Sequence, residues 1–172
     1  MWYPSGELEY MFNYVNGQKH GLEQKWYDSY YTDSISGETK QRLSYQFRYD
    51  HNKTVDLHTS WYENGQLESQ SSYVDDEMNG LYEAWYADGK PKSLGYYVNG
   101  KMHGLQQEWY DNDKLKRLQN YVKGKKYGIQ KDFYPNGQLK QHAEYNHGEI
   151  STGSENRWDE EGNLETHFSS YW

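Results

Sequence analysis

The chain has 172 residues, a length that suits one domain. Only 34% of it is hydrophobic while 18% is aromatic, with Tyr alone at 20 residues, which excludes a two-layer core of Leu, Ile and Val and leaves Tyr and Trp to supply buried area. A net charge of -8 argues against nucleic acid and anionic membrane as partners, the absence of Cys excludes disulfide and Cys-zinc frameworks, and no apolar run reaches the ~20 residues of a membrane span.

Read from the N-terminus, aromatic anchors fall at Trp2, Trp26, Trp61, Trp85, Trp109, Phe133 and Trp158, separated by 24, 35, 24, 24, 24 and 25 residues. Such self-similarity marks a repeat architecture. Six of the anchors are followed by Tyr, and the last by Asp159. Four residues past most anchors lies Gly, at Gly6, Gly65, Gly89, Gly137 and Gly162, with Asp113 in that place after Trp109. Leu8, Leu67, Leu115, Leu139 and Leu164 follow two residues later, with Pro91 as the exception. A Tyr comes next, at Tyr14, Tyr73, Tyr97, Tyr121 or Tyr145, and then a second turn at Gly17, Asp76, Gly100, Gly124 or Gly148. The unit closes on Gly21-Leu22, Gly80-Leu81, Gly104-Leu105 or Gly128-Ile129 before the next anchor.

Asn-Gly and Asp-Gly pairs favour two-residue type I′ turns, because both central residues need positive φ. Asn52, Asp76 and Asp113 stand where Gly is missing, and Asn and Asp tolerate that region better than other residues with a Cβ. Each unit therefore carries two turns and two strands of about 7–9 residues. Leu105 and Trp109 are four apart, as are Leu22 and Trp26, so strand parity predicts one face of Leu, Tyr and Trp and an opposite face of Lys, Gln, Glu and Ser. The expected fold is all-β: an elongated, single-layer, twisted antiparallel sheet of stacked hairpins, about 14 strands, in one repeat domain spanning 1–172.

The 35-residue interval breaks the rule. Tyr49 precedes Trp61 by the same distance as Tyr73 precedes Trp85, so the eleven extra residues lie between about 28 and 48. They are expected to lengthen one hairpin, with Ser36, Gly37 and Glu38 near its tip. Insertions in repeat proteins map to a binding face, and exposed Tyr and Arg anchor interfaces. Tyr30, Tyr31, Arg42 and Tyr45 are the candidate partner-binding residues, beside a tolerated loop extension as the plain alternative. The acidic turn Asp75, Asp76 and Glu77 is a second candidate, for steering a basic partner, although a solvated turn is the simpler account of it. Trp26, Trp61, Trp85, Trp109, Phe133 and Trp158 with Gly65, Gly89, Gly100, Gly104 and Gly137 are structural anchors of the repeat. His20 and His103 occupy equivalent places before Gly21 and Gly104, which points to a turn role; no metal site and no cofactor is expected. With no Cys nucleophile, no Gly-x-Ser-x-Gly and no distinguished carboxylate pair, no catalytic residue is assigned.

The stretches WYENGQL (61–67), YVNGKMHGLQQEWY (97–110) and FYPNGQLKQHAEY (133–145) resemble the variant class of MORN repeats, and most closely the YwqK-type antitoxin family. The resemblance covers most of the chain outside the insertion. It implies stacked antiparallel hairpins without catalytic residues of their own, and a bacterial immunity protein that binds a toxin. The expectation is a cytoplasmic, non-catalytic module that occludes a basic toxin domain, with a self-associating scaffold and lipid binding as alternatives.

Overall fold

A computed structural model describes residues 1–165, and every regular element among them is a strand. The expectation that Phe168 to Trp172 cap a sheet edge falls outside the described residues. The chain divides into two compact units, Met1–Lys90 and Pro91–Trp172. The first contains β1 (Tyr10–Met11), β2 (Tyr14–Val15), β3 (Gln18–Lys19), β4 (Gly21–Thr32), β5 (Thr39–Asp50), β6 (Lys53–Trp61), β7 (Leu67–Val74) and β8 (Glu77–Trp85). These run antiparallel in the order β1-β4-β5-β6-β7-β8, with β2 and β3 forming a separate ribbon. The second contains β9 (Pro91–Val98), β10 (Lys101–Met102), β11 (Gly104–Trp109), β12 (Leu115–Val122), β13 (Lys125–Lys126), β14 (Gly128–Phe133), β15 (Leu139–Asn146), β16 (Glu149–Ile150) and β17 (Asn156–Arg157). Its order is β9-β11-β12-β14-β15-β16, with β10 on β9, β13 on β12 and β17 on β15.

The two turns of each repeat are chemically different, where the sequence had suggested one type. The second is the expected type I′ hairpin. Both central residues have positive φ at Asn16-Gly17, His51-Asn52, Asp75-Asp76, Asn99-Gly100, Lys123-Gly124 and His147-Gly148. The first, after the Trp-Tyr pair, is a three-residue loop. Gly65 N–H donates to the Tyr62 carbonyl at 2.8 Å and Tyr62 N–H donates to the Gln66 carbonyl at 2.9 Å, so only Gly65 (φ 86°) needs the left-handed region. This is the loop that ends in a G1 bulge, and the register slips between Ser60 and Trp61 accordingly. Asn64 sits before that Gly for its side chain: its Oδ1 accepts from Gln66 N–H at 3.0 Å. The bulge sets Trp61 opposite Leu67, Trp109 opposite Leu115 and Phe133 opposite Leu139, which explains the Leu six residues beyond each anchor.

A third left-handed residue splits the return strand. His103 N–H donates to the Tyr96 carbonyl at 2.8 Å, then Gly104 (φ 73°) redirects the chain. Tyr127 and Gly128 repeat this, with Tyr127 N–H on the Asn120 carbonyl at 2.9 Å. β10 and β13 are therefore short pieces detached from β11 and β14. That is why the described residues hold 17 strands rather than about 14. Asp56 (φ 62°) occupies the place that Gly80 takes one repeat later.

The detour opens a gap between neighbouring repeats, and polar side chains fill it. Gln130, 5% exposed, accepts from Asn120 N–H at 3.2 Å and donates from Nε2 to the carbonyls of Asn120 (3.0 Å), Tyr127 (3.1 Å) and Gly128 (3.3 Å). Gln106 donates to the Tyr96 carbonyl at 3.0 Å one repeat earlier, and Ser154 Oγ serves Glu144 N–H and C=O one repeat later. Tyrosines staple the Trp ends. Tyr3 donates its hydroxyl to the Trp26 carbonyl, Tyr27 to Trp61, Tyr62 to Trp85, Tyr110 to Phe133 and Tyr134 to Trp158, at 2.7–2.9 Å. Asn64 Nδ2 reaches the Ala87 carbonyl and Asn112 Nδ2 reaches that of Pro135, at 2.6 and 2.8 Å. At the other end the type I′ turns interlock, with Asp76 N–H on the Thr54 carbonyl and Gly124 N–H on that of Met102.

Burial departs from the parity expectation. Ala84 and Ala143 are the only buried hydrophobic side chains among the described residues; the buried polar ones are Glu23, Thr59, Ser71, Gln119 and Gln130. The apolar residue of three Gly-Leu or Gly-Ile pairs points outward, Leu81 at 47%, Leu105 at 51% and Ile129 at 55% exposure, as does Leu57 after Asp56, whereas Leu22 is half-buried. The more enclosed sheet face is a mixture of Tyr with Ser, Gln, Arg and carboxylates. The reason is that the gaps between repeats leave backbone N–H and C=O groups to be satisfied, which Gln130 and Ser154 do and an apolar side chain cannot.

Candidate functional site

The insertion is one long hairpin, as its length required. β4 and β5 are 12 residues each, Tyr30 lies opposite Gln41 and Thr32 opposite Thr39. The tip is tied by Asp33, whose Oδ1 accepts from Ile35 and Ser36 N–H at 2.9 Å each. Those bonds hold its carboxyl below the usual range. Gly37 (φ 69°) completes the reversal.

At the base of this hairpin lies a groove of about 390 Å³, lined by Tyr31, Arg42, Leu43, Trp61, Asn64, Gly65 and Gln66. Arg42 stacks on Tyr31, its guanidinium carbon 4.9 Å from the ring centroid. No carboxylate lies within salt-bridge range of Arg42 among the described residues. The guanidinium reaches over the bulge glycine: a Cβ on Gly65 would stand 2.7 Å from Nη1. The site thus offers planar donors, two aromatic rings and an aliphatic wall. That composition suits an acidic or amide-bearing side chain from a partner.

The four hairpin candidates do not form one cluster. Tyr31 and Arg42 line the groove. Tyr30 is exposed, and the neighbouring Glu7 carboxylate pushes its phenol up to about 12. Tyr45 is on the enclosed face, with ring centroids 5.0 Å from Phe47 and 6.4 Å from Tyr10 and His58, and its hydroxyl donates to Glu23 Oε1 at 3.3 Å. Burial, then the Glu23 carboxylate, raises its pKa. Alternation along β5 explains the separation: Arg42 precedes the register shift near Trp26, and Tyr45 follows it. Around Tyr45, Lys19 binds Glu23 at 2.7 Å and lies 4.7 Å from the Tyr49 centroid. His58 stacks on Phe47 at 3.8 Å, and burial lowers its pKa, with Glu68 opposing.

The acidic turn is engaged in structure. Asp76 Oδ1 accepts from Thr54 N–H at 2.6 Å, Asp75 pairs with Lys53 at 3.3 Å, and Glu77 is exposed at the start of β8. In the second unit, Arg117 bridges Asp132 (3.0 Å) and Glu108 (3.2 Å) on the enclosed face beside Gln119 and Tyr121. From the sequence, Trp61 and Gly65 read as structural anchors of the repeat and Asn64 as a turn residue, and Gln66 carries no assigned role. The signal was available in part: a bulge glycine beside an inserted hairpin is where a long side chain from that hairpin fits.

These features define a stacked-hairpin repeat protein with a lateral groove. Residues 57–75, 78–99, 102–123 and 126–147 each match the MORN repeat variant. A search of curated proteins finds no match. Among solved structures, the chain is similar to a mutant of S. aureus TarM in complex with Fondaparinux, alpha-GlcNAc-glycerol and UDP (11% identity, TM-score 0.35) and to TarM itself (12%, 0.35). Each similarity covers 69% of this chain but 21% of the other, so the chain spans about a fifth of those proteins.

Proposed function

We propose that the chain is a non-catalytic protein-binding module that acts as an immunity protein, neutralising a cognate bacterial toxin by covering it. The observation that carries this reading is the groove at the base of the inserted hairpin, where Arg42 is stacked on Tyr31 without a carboxylate partner. Four repeats of a MORN-variant type supply a rigid frame for it. The net charge of -8 attracts a basic partner at long range, while Arg42 takes one acidic or amide group at short range. Tyr30, exposed on the same hairpin, extends the contact area. The protein works in the cytoplasm on this reading and requires no cofactor.

Co-expression with the product of the adjacent gene, followed by co-purification and growth rescue, tests it. Rescue by the wild type and its loss in Tyr31→Ala/Arg42→Ala is the expected result. No complex and no rescue overturns the immunity role. A second reading, self-association as a scaffold, draws on the outward Leu105 and Ile129 with Val98 and Val122 nearby on the same unit. Light scattering over a dilution series separates the two, since only the scaffold grows with concentration.

A further inference from the structure

We infer that His20, Asp50 and His51 form a binding site for a divalent transition-metal ion of the zinc type. The residues come from two segments far apart in sequence, and the fold brings one potential ligand atom of each within 4.8 Å of the others. His20 Nδ1 lies 3.2 Å and His51 Nδ1 2.6 Å from the same oxygen, Asp50 Oδ1. The imidazole rings meet edge to face with centroids 5.5 Å apart.

The backbone holds this convergence. Asp50 and His51 belong to the type I′ turn between β5 and β6, where His51 (φ 48°) and Asn52 (φ 69°) are both left-handed. Asn52 N–H donates to the Lys19 carbonyl at 2.9 Å, and Lys19 N–H donates to Asn52 Oδ1 at 2.8 Å. His20 follows directly and donates its N–H to the Asn13 carbonyl at 2.9 Å. The nearby cations are turned elsewhere: Lys19 to Glu23 and Lys53 to Asp75.

Zinc binds His nitrogen and carboxylate oxygen at about 2.0–2.2 Å, which puts tetrahedral ligand atoms about 3.3 Å apart. The His20–Asp50 spacing already fits. The His51–Asp50 contact must open by about 0.7 Å, within reach of exposed side chains on one turn. Two His and one Asp leave a fourth position for water or a ligand from outside.

The same location recurs in the second unit without ligand chemistry. There the Tyr127 and His147 rings are 5.9 Å apart, and His147 Nδ1 lies 2.6 Å from Asn146 Oδ1. A ring, an amide and an imidazole suffice for packing the turn. What His20 and Asp50 add to that arrangement is a second imidazole and a negative charge, the two features a cation requires. The side chains are 45–68% exposed, so their mutual contacts contribute little stability by themselves.

Isothermal titration of the untagged full chain with zinc ion alone tests the site. The expected result is one ion per chain with an affinity on the order of 10 µM. His51→Ala and the double change His20→Tyr/Asp50→Asn, which copies the Tyr127 location, are each expected to weaken binding at least tenfold, while His147→Ala leaves it unchanged. Zinc should shift the ring proton resonances of His20 and His51 and not those of His147, an observation on the wild type that needs no variant to fold. No binding at about 100 µM zinc, or binding that survives His51→Ala, overturns the inference.

Discussion

Replacing Gln130 by Met tests the claim that the repeats are joined by polar plugs. The two side chains have similar length and volume, so the change removes hydrogen bonds with little change in packing. Gln130 serves four backbone groups, but its amide has two N–H bonds and one carbonyl, so three strong bonds is the ceiling. Met leaves Asn120 N–H without an acceptor at a site where Gln130 is 5% exposed. An unsatisfied buried donor costs about 1–3 kcal/mol, and carbonyls that lose one of two partners cost less, so a loss of about 3 kcal/mol is expected. Denaturant unfolding followed by Trp fluorescence reads the total. Amide hydrogen exchange reads the cause, since Asn120 should lose protection selectively. Gln130→Ser provides the control, because Ser154 already performs the same task on Glu144 one repeat on; it should recover part of the loss. A Met variant within about 0.5 kcal/mol of wild type, with Asn120 still protected, would refute the reasoning.

Three further outcomes follow from the geometry. Tyr62→Phe removes the hydroxyl that donates to the Trp85 carbonyl at 2.9 Å and should cost about 1 kcal/mol by denaturant titration; no change would mean that water replaces it fully. Gly95→Ala drives a Cβ into the Gln106 side-chain amide, yet should cost no more than about 1 kcal/mol, because Gln130 coexists with Gln119 at the matching place; a loss above about 3 kcal/mol would show that Gln106 has no second path. Burial depresses the pKa of His58, so the unfolded chain binds its proton first on acidification. Stability should then fall as pH drops below about 6.5, by at most about 1.4 kcal/mol per pH unit, and a His58→Phe variant should show a shallower slope between about pH 7 and 5. An unchanged slope in that variant would assign the acid sensitivity to other groups.

The repeat, its period and the strand character were legible because they are written in backbone demands. Asn-Gly and Asp-Gly mark positive φ whatever surrounds them, and Leu67 or Leu115 keeps a fixed distance from its Trp because the bulge loop has a fixed length. The inserted hairpin was legible by subtraction from the period. Burial was not. Parity put Leu105 with the anchors on an inner face, but Leu105 is exposed, and the register shifts at the bulge between Glu108 and Trp109. Nor could spacing separate Tyr31 from Tyr45, since the register slip near Trp26 lies between their partners. The plugging roles of Gln106 and Gln130 were hidden because a polar residue on a strand reads as solvent-facing until the gap it fills is known.

A repeat protein joined in this way should differ from an apolar solenoid in how it tolerates change. In the second unit, adjoining repeats are fastened at three places: a Tyr hydroxyl at the Trp end, a polar plug at the detour and a turn-to-turn backbone bond at the far end. Each fastening uses a backbone group as one partner, so the strand's outward residues are free to vary. Residues such as Leu105, Ile129 and Lys131 bear little of the folding load and can be spent on recognition. The same logic explains the groove. Asn64 and Gly65 are fixed by the bulge loop and by the bond to the Ala87 carbonyl, so Arg42 lies over a surface that does not need to reorganise on binding. Substituting Asn64 should therefore loosen the site as well as the joint. Asn64→Ala is expected to weaken partner binding together with stability, whereas Arg42→Ala should weaken binding alone.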